Sequence, residues 1–363
     1  MRRLIQSLAL FSALALVAPA CGDKAADSKK DEKKDEKKDD KKDKKDAAAS
    51  GSAAASGSPT AAPAAPKPAD VPSGVADALT HLPAGCEAAV AVDLAKIAKH
   101  PTVSKEIVSR LETLATAESK DAGVQRFQAF AKDTGFKIQG VGNLGVCVDT
   151  EGGAPTWTVM VGSDLKNGSL VPALEKTIDP TKKVTLGEID GVKTISDGDA
   201  TFAQFADGVI GIAPTTDRLK AALKPGANLG AYKLDRSKEL SFFLGKALIS
   251  SDFAKRCGKG GDLVKDIEDV VGSIDLGAGK LQMTMRTPSA DGAKTLDALV
   301  TLMKAEVAKD QGIPAQFGLP AALKSIASRI DGSNVIVEMV FPAAAIDEAL
   351  KFLAMQLDAA AKK

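Results

Sequence analysis

The chain has 363 residues, of which 44% are hydrophobic and 26% charged, and its 48 basic residues nearly balance its 47 acidic ones. A net charge of +1 gives no electrostatic indication of a partner and argues against nucleic acid. With one Trp and one Tyr, platforms on which bases or sugars stack are not expected.

The first twenty residues have the three parts of an export signal. Arg2 and Arg3 form the charged end, residues 4–17 form the apolar stretch, and Ala18-Pro19-Ala20 is the small-residue cleavage region. The apolar stretch is shorter than the roughly 20 residues of a membrane-spanning helix. We therefore predict a signal peptide over residues 1–20 and an exported protein.

The junction at Cys21 resembles the lipobox of bacterial lipoproteins, although Val17 and Ala18 stand where Leu is expected and Pro19 is an unusual occupant. In that family the cysteine is acylated, so the resemblance implies a lipid anchor at Cys21. Two or three acyl chains bind a membrane firmly, whereas one binds marginally. Cleavage by ordinary signal peptidase, which would leave a free thiol, is the alternative. Gly22 is not the Asp that retains lipoproteins at the inner membrane, which implies the outer membrane.

A charged low-complexity segment follows the cysteine. Between residues 29 and 43, Lys and Asp recur with period four, which places like charges at i and i+4 and favours a coil over a helix. Residues 47–75 are mainly Ala, Ser, Gly and Pro and cannot build a core. We predict that residues 21–75 are the lipidated cysteine and a disordered tether. A flexible chain of that length spans roughly 40 Å on average and about 180 Å when stretched.

The remaining chain shows similar landmarks twice. The segment FAKDTGF at 130–136 matches FAKRCGK at 253–259, and each is followed by two strand-like segments, a Ser-capped helix and a strand that leads into a Pro-opened helix. We predict an internal duplication, with one α+β repeat over 76–231 and a second over 232–363.

Local patterns predict the fold class. In KLQMTMR at 280–286, apolar and polar residues alternate as in a strand with one wet face, and the helix after Pro342 is amphipathic. The segment LPAGCEAAVAVDL at 82–94 resembles the start of an uncharacterised class of secreted bacterial proteins with a duplicated α+β domain. We expect an α+β fold of mostly antiparallel sheets with amphipathic helices packed on one face. The resemblance implies no activity.

The cysteines offer a disulfide but no metal site. If Cys21 is acylated, Cys86, Cys147 and Cys257 remain, and a bond between Cys86 and Cys147 fits the predicted layout. Separate buried thiols are the commoner outcome, so the pairing stays open. Because the chain has no CxxC spacing, we predict neither a metal cluster nor a cofactor.

His81 and His100 are the only histidines, and we interpret both as surface or capping residues. Catalysis or metal binding is the alternative, but no GxSxG motif supplies a nucleophile for a triad. We therefore predict no catalytic residue.

These patterns together predict a lipid-anchored cell-envelope protein that is a non-catalytic binding or scaffold module. Its expected partners are the membrane, through Cys21, and an envelope protein or an apolar ligand. The alternative is a periplasmic carrier of an apolar ligand such as a lipid, with methionines as a pliable lining; the methionines concerned are Met283, Met285, Met303 and Met355. A hydrolase with an unrecognised site is a third hypothesis.

Overall fold

The structure is a computed structural model of the chain. It describes residues 75–116, 118, 122–151, 154–178, 180–223, 232–249, 265–309 and 319–361, all of which belong to one compact unit. The predicted signal peptide, Cys21, the tether up to residue 74, and Cys257 lie outside the described residues.

Twelve strands form one sheet, in the order β11-β12-β10-β9-β8-β1-β2-β3-β7-β6-β5-β4, and neighbouring strands are antiparallel. The strands are β1 (Ala88–Asp93), β2 (Val141–Glu151), β3 (Ala154–Ser163), β4 (Thr185–Ile189), β5 (Val192–Ser196), β6 (Thr201–Gln204), β7 (Ile210–Ala213), β8 (Leu240–Gly245), β9 (Asp269–Asp275), β10 (Lys280–Arg286), β11 (Ala327–Asp331) and β12 (Asn334–Val340). A large antiparallel sheet with helices confirms the α+β class.

The described helices connect these strands or follow them. They are α1 (Leu94–Lys99), α2 (Pro101–Val103), a π-helix (Ser104–Val108), α3 (Ser109–Thr116), α4 (Ala122–Thr134), α5 (Leu170–Thr177), α6 (Thr216–Ala222), α7 (Lys246–Leu248), α8 (Ala290–Lys309), α9 (Leu319–Lys324) and α10 (Ala343–Ala361). Two short 3₁₀ turns, Ala78–His81 and Ile138–Gly140, complete the described set; we call the first of them the N-terminal turn.

The two predicted halves meet at the centre of the sheet. Strands β1 to β7 come from residues 76–231 and β8 to β12 from 232–363, and β1 pairs with β8 so that Val90 lies opposite Phe242. Outward from this seam the order is first, second, third and last strand of each half, namely β1-β2-β3-β7 and β8-β9-β10-β12. A duplication would produce this order, and the duplication itself stays a prediction.

Helices cover both faces of the sheet, which differs from the single covered face that we expect from the sequence. On one face, Val90, Phe242 and Leu281 share a core with residues of α8 and α9. On the other face, Met160 and Ala203 pack with Leu219 and Ala222 of α6.

Small residues make the second covered face possible. A Cβ atom at Gly211 would lie 2.9 Å from Leu219 Cδ2, and one at Gly145 would lie 3.0 Å from Leu82 Cδ2. Ala89 and Ala91 of β1 are also buried on this side. Because glycine and alanine look neutral in a hydrophobic pattern, the pattern shows only the face that carries larger side chains.

The last described helix of the second half, α10, lies against the helix over 101–116 of the first half. Thr102 Oγ1 donates to Asp347 Oδ1, and Arg110 Nη1 donates to the carbonyl oxygen of Ala354 at 3.1 Å. Both contacts join residues about 245 positions apart in the chain, so α10 and the helix over 101–116 run in the same direction. Among the helices that the structure describes, none combines the length and apolar character needed to cross a membrane.

Candidate functional site

Cys86 and Cys147 are joined beside the centre of the sheet. Their sulfur atoms lie 2.04 Å apart and their Cα atoms 5.4 Å apart. Cys86 immediately precedes β1, and Cys147 of β2 is paired with Ala89 of β1, so the bond links neighbouring strands. Both residues are buried, in a cluster with Leu79 and Leu82 that follow the predicted tether. In this geometry the bond has a structural role.

The chain's single tyrosine, Tyr232, closes this cluster. Its hydroxyl donates to the carbonyl oxygen of Pro83 at 2.5 Å and accepts from the amide of Cys86 at 2.9 Å. Burial raises the pKa of Tyr232, and the nearby Asp149 carboxylate acts in the same direction. The phenol is therefore held neutral, as a donor and acceptor between the start of the second half and the start of β1.

His81 is buried and both of its ring nitrogens are engaged. Nδ1 lies 2.7 Å from the carbonyl oxygen of Ala222 in the last turn of α6, and Nε2 lies 2.6 Å from Asp207 Oδ2. The imidazole also packs against the ring of Phe205, with centroids 4.8 Å apart. Of the two roles that we predict for His81, the structure shows capping and not a surface position.

This arrangement leaves His81 without a free nitrogen for chemistry. Each ring nitrogen lies within hydrogen-bond distance of an oxygen atom, of the Ala222 carbonyl or of the Asp207 carboxylate. A general base needs a nitrogen lone pair within reach of the proton it removes. His81 therefore connects the N-terminal turn with α6 and with the β6–β7 turn.

Further polar contacts hold the residues around the N-terminal turn in place. The amide of Ala78 donates to Asn143 Oδ1 at 2.8 Å, Asn143 Nδ2 donates to Asp77 Oδ1 at 3.3 Å, and Asp77 forms an ion pair with Arg236. The point at which the predicted tether joins the fold is thus fixed to the middle of the sheet.

A cleft of about 240 Å³ opens at the other end of β1, where the two halves meet a second time. The first half contributes the residues between α1 and the π-helix, and the second half contributes the β9–β10 turn and the start of α10. The residues that line it are His100, Pro101, Thr102, Leu276, Gly277, Ala278, Gly279, Phe341, Ala343, Ile346 and Asp347. We call it the His100 cleft.

The turn that forms one wall of the His100 cleft requires glycine. Gly279 has φ +62°, in the left-handed region, and a Cβ atom there would lie 2.5 Å from the carbonyl oxygen of Phe341. Asp275 supports the same turn, since its Oδ1 accepts the amide of Ala278 at 2.8 Å and its Oδ2 pairs with Lys238 at 2.8 Å. Hydrogen bonding to Lys238 lowers the pKa of Asp275, and the same bond raises the pKa of Lys238.

The polar groups of the His100 cleft are only partly satisfied. Nδ1 of His100 is buried and has no hydrogen-bond partner, while the Asp347 carboxylate accepts a bond from Thr102. His100 and Asp347 are each partly exposed. Unlike the ring nitrogens of His81, Nδ1 of His100 has no hydrogen-bond partner, although the atom itself is buried.

Of the methionines that we predict as a pliable lining, the three whose side chains are described line neither of the two clefts that the structure shows. Met285 is buried and Met283 partly buried in the main core, whereas Met355 is 57% exposed. Nothing is described of the Met303 side chain. A second cleft, of about 20 Å³ beside Asn143 and Arg236, has no methionine in its lining, and neither does the His100 cleft.

The sequence gives no indication of several contacts that matter most. Thr102, Tyr232 and Asp347 belong to no motif, and they meet partners between 146 and 245 residues away. Only the uniqueness of Tyr232 in the composition singles it out beforehand. Across the described ranges, no group of three or more His, Cys, Asp or Glu side chains is placed to hold a metal ion.

Comparison with known proteins gives structural similarities only. No family model matches the chain, and no curated protein matches it. Among solved structures it is similar to TP0453 in crystal forms I and III, each with a TM-score of 0.38 and 7% identity over 77% of this chain and 98% of TP0453. Crystal form IV gives a TM-score of 0.36 and 6% identity, over 77% of this chain and 96% of the other. These scores are too low to assign a family or to transfer a function.

Proposed function

We propose that this protein is a lipid-anchored module of the cell envelope that binds a ligand or partner without catalysing a reaction. In this proposal Cys21 is acylated and inserted in the outer membrane, and the residues up to 75 form a flexible tether. The body over 76–363 is then free to meet its partner within roughly 40 Å of the surface on average.

The anchor is supported by the order of features along the chain. The export signal ends in small residues directly before Cys21, and a charged, core-less segment separates this cysteine from the first residue of the fold. The N-terminal turn, where the predicted tether meets the fold, is held in place by hydrogen bonds. Asn143 accepts one from Ala78, and His81 contacts Ala222 and Asp207. Movement of the body relative to the membrane would therefore occur in the tether rather than by unravelling of the turn.

The observation that carries the binding proposal is the His100 cleft at the junction of the two halves. Ligand sites occur preferentially where domains or halves meet, because opposed walls there supply both shape and polar groups. The volume of about 240 Å³ lies below the 300–1,000 Å³ of typical drug-sized sites. It suits a small ligand or one side chain of a partner protein.

The absence of catalysis is proposed from the state of the two histidines. His81 is buried and has both ring nitrogens engaged in contacts with oxygen atoms. His100 lines a cleft whose only hydroxyl-bearing side chain, Thr102, donates to Asp347 rather than to the imidazole. A hydroxyl nucleophile needs a base that accepts its proton. The partner of Thr102 is the carboxylate of Asp347, which is a weaker base than an imidazole.

Metabolic labelling tests the anchor. Full-length protein, expressed in bacteria fed an alkyne-bearing fatty acid, should carry the label and sediment with membranes. The Cys21→Ser variant should be unlabelled and recovered in the soluble fraction. Labelling that persists in Cys21→Ser, or wild-type protein that remains unlabelled, would contradict the anchor.

Incubation of purified protein with ester, amide and glycoside substrates tests the proposal that the protein is not catalytic. Turnover that is abolished by His100→Ala would contradict that proposal.

A further inference from the structure

The strand β11 forms one edge of the sheet, and β12 is its partner among the described strands. Two bonds show how the backbone of β12 is directed. The carbonyl oxygen of Ser333 accepts the amide of Thr287 on the β10 side at 3.0 Å, and the amide of Val340 donates to Ser325 Oγ on the β11 side at 2.7 Å. Because backbone groups alternate in direction along an antiparallel strand, the even-numbered residues of β12 face β11.

The register then shows which backbone groups of β11 are directed to the open edge. The even-numbered residues of β12 lie opposite Ala327, Arg329 and Asp331, whose amides and carbonyls therefore face β12. Ser328 and Ile330 lie between them and direct their backbone groups away from β12. An edge of this kind is a template on which another strand can pair.

The side chains of this edge combine an exposed apolar residue with two opposite charges. Ile330 is 42% exposed and lies on the same face of the sheet as Val335, its partner on β12. Arg329 and Asp331 lie on the other face, and both are exposed. Within the described part of the chain, neither of them forms an ion pair. Charges of one sign protect an edge, but these two have opposite signs and are two residues apart.

This spacing makes β11 complementary to itself in one antiparallel register. When Ile330 lies opposite its counterpart in a second copy, Arg329 of each copy lies opposite Asp331 of the other. Ile330 then forms a hydrogen-bonded pair, and the charged residues take the positions where opposed side chains are closest. A register centred on Arg329 would place two like charges opposite each other, and one centred on Ser328 would leave both charges unmatched.

We propose that a second copy of this chain docks on the β11 edge, by two-fold antiparallel pairing of the two β11 strands about Ile330. A two-fold axis perpendicular to the sheet keeps equal faces together, so the two Ile330 side chains meet on the face that α8 covers. Two reciprocal ion pairs between Arg329 and Asp331 form on the other face. This inference goes beyond the proposed function, because it uses none of the residues that line the His100 cleft.

The β4 edge at the other end of the sheet has no such match with itself, because Glu188 is the only charged residue of β4. Pairing of β4 with β11 of another copy would also be antiparallel, since the sheet has an even number of strands. With Leu186 opposite Ile330, however, Gly187 would lie opposite Arg329 and no ion pair would form. Such head-to-tail pairing also continues without closing, whereas two-fold dimers close and are the commonest assemblies.

Disulfide cross-linking of the full-length protein in intact cells tests the register. The parent is Cys257→Ser, and it reveals any bond that forms through Cys21. In a hydrogen-bonded pair the two Ile330 Cα atoms would lie about 5.5 Å apart, within the range of a disulfide. The two Ser328 Cα atoms would lie about 14 Å apart, beyond the limit of about 7 Å. After oxidation with copper phenanthroline, Ile330→Cys should give at least about tenfold more linked dimer than Ser328→Cys.

Charge variants in the Ile330→Cys background test the ion pairs. Arg329→Asp places two carboxylates opposite each other twice, and we expect at least about fivefold less linked dimer. Adding Asp331→Arg reverses both pairs and should restore the yield. Lys183→Asp, a charge reversal at an exposed residue before β4, should leave the yield unchanged. Unfolding temperatures of the variants show whether the fold is kept.

Absence of a dimer from Ile330→Cys would overturn the inference, and so would equal yields from Ser328→Cys or a charge reversal that does not restore the yield. A linked species with another mass would place a different envelope protein on the edge. Trimers and larger species from Leu186→Cys/Ile330→Cys would show head-to-tail pairing instead. Each of these results is distinguishable from failure of the anchor, because acylation of Cys21 is measured separately by fatty-acid labelling.

Discussion

The two histidines of the chain occupy opposite environments, although each lies within two residues of a proline in the sequence. His81 is 2% exposed, and its two ring nitrogens are satisfied by α6 and by Asp207. His100 lines an open cleft, and its buried Nδ1 has no partner. The comparison shows that one residue type has both ring nitrogens hydrogen-bonded where three elements converge, and keeps a nitrogen without a partner where the two halves leave a cleft.

The largest expected effect concerns the disulfide near His81. Replacing Cys86 and Cys147 together with Ser should lower the free energy of unfolding by about 2–5 kcal/mol, because the bond restricts the unfolded chain. Urea unfolding, followed by the fluorescence of the single Trp157, measures the loss. Wild-type protein in reducing agent should lose a similar amount. Unchanged stability of the double variant would mean that the two thiols contribute nothing by pairing.

Alanine substitutions at the two histidines test the comparison directly. His81→Ala should cost about 2–4 kcal/mol, because it opens a cavity and leaves the Ala222 carbonyl and Asp207 without their partner. His100→Ala should cost less than about 1 kcal/mol, because no hydrogen bond is lost. Urea unfolding of both variants under the same conditions gives the difference. Similar losses of unfolding free energy in the two variants would contradict the difference in hydrogen bonding between His81 and His100.

Tyr232 provides a further test of the buried contacts that follow the N-terminal turn. Tyr232→Phe removes the hydrogen bonds to Pro83 and Cys86 and should cost about 1–2 kcal/mol in urea unfolding. The variant retains the ring that packs against Phe243. The loss is therefore expected from the hydroxyl alone.

The pH dependence of Tyr232 follows from its raised pKa. The folded phenol keeps its proton above the ordinary value of 10.0, whereas the unfolded phenol loses it there. The stabilisation that the buried, neutral phenol contributes is therefore fully present below pH 10 and is lost as the pH rises through the pKa of the folded state. Because the chain has one tyrosine, phenolate absorbance near 295 nm reports this residue alone. A titration midpoint at or below that of urea-unfolded protein would contradict the burial of the hydroxyl.

The smallest effect is expected at Asp275, which supports the turn lining the His100 cleft. Its pKa is lowered by Lys238, so its contribution is present at neutral pH and lost as the pH falls below the ordinary value of 3.8. Because both side chains are about one-third exposed, Asp275→Asn should cost less than about 1 kcal/mol at pH 7. The difference from wild type should shrink as the pH falls below 3.8 and disappear below the lowered pKa of the folded state. A difference that persists in acid would show that the charge is not its cause.

Much of the fold is predictable because it depends on local patterns. Strands such as β1, β8 and β10 alternate or run apolar over lengths that suit strands, and Asp190-Gly191 marks the hairpin between β4 and β5, where its residues have φ of 48° and 85°. The helix after Pro342 begins at Ala343, one residue beyond the proline. These features are encoded within a few neighbouring residues, so the sequence alone indicates them.

The site is less predictable because its residues come from distant parts of the chain. Asp347 looks like an ordinary helix-surface acid until α10 lies beside Thr102, and Tyr232 has no motif until it meets Pro83 and Cys86. Neither contact leaves a spacing pattern, because each pair is separated by more than a hundred residues. The second covered face of the sheet cannot be predicted for a related reason, because its glycine and alanine residues give no hydrophobic pattern.

The sequence by itself determines the α+β character of the body, and it predicts an export signal and a tether, since all three depend on residue types and short periodicities. Tertiary structure decides that both halves share a single sheet, that His81 is buried, and that His100 and Asp347 line one cleft. These outcomes depend on which distant surfaces meet, and that choice is made by the total free energy of packing rather than by any local pattern.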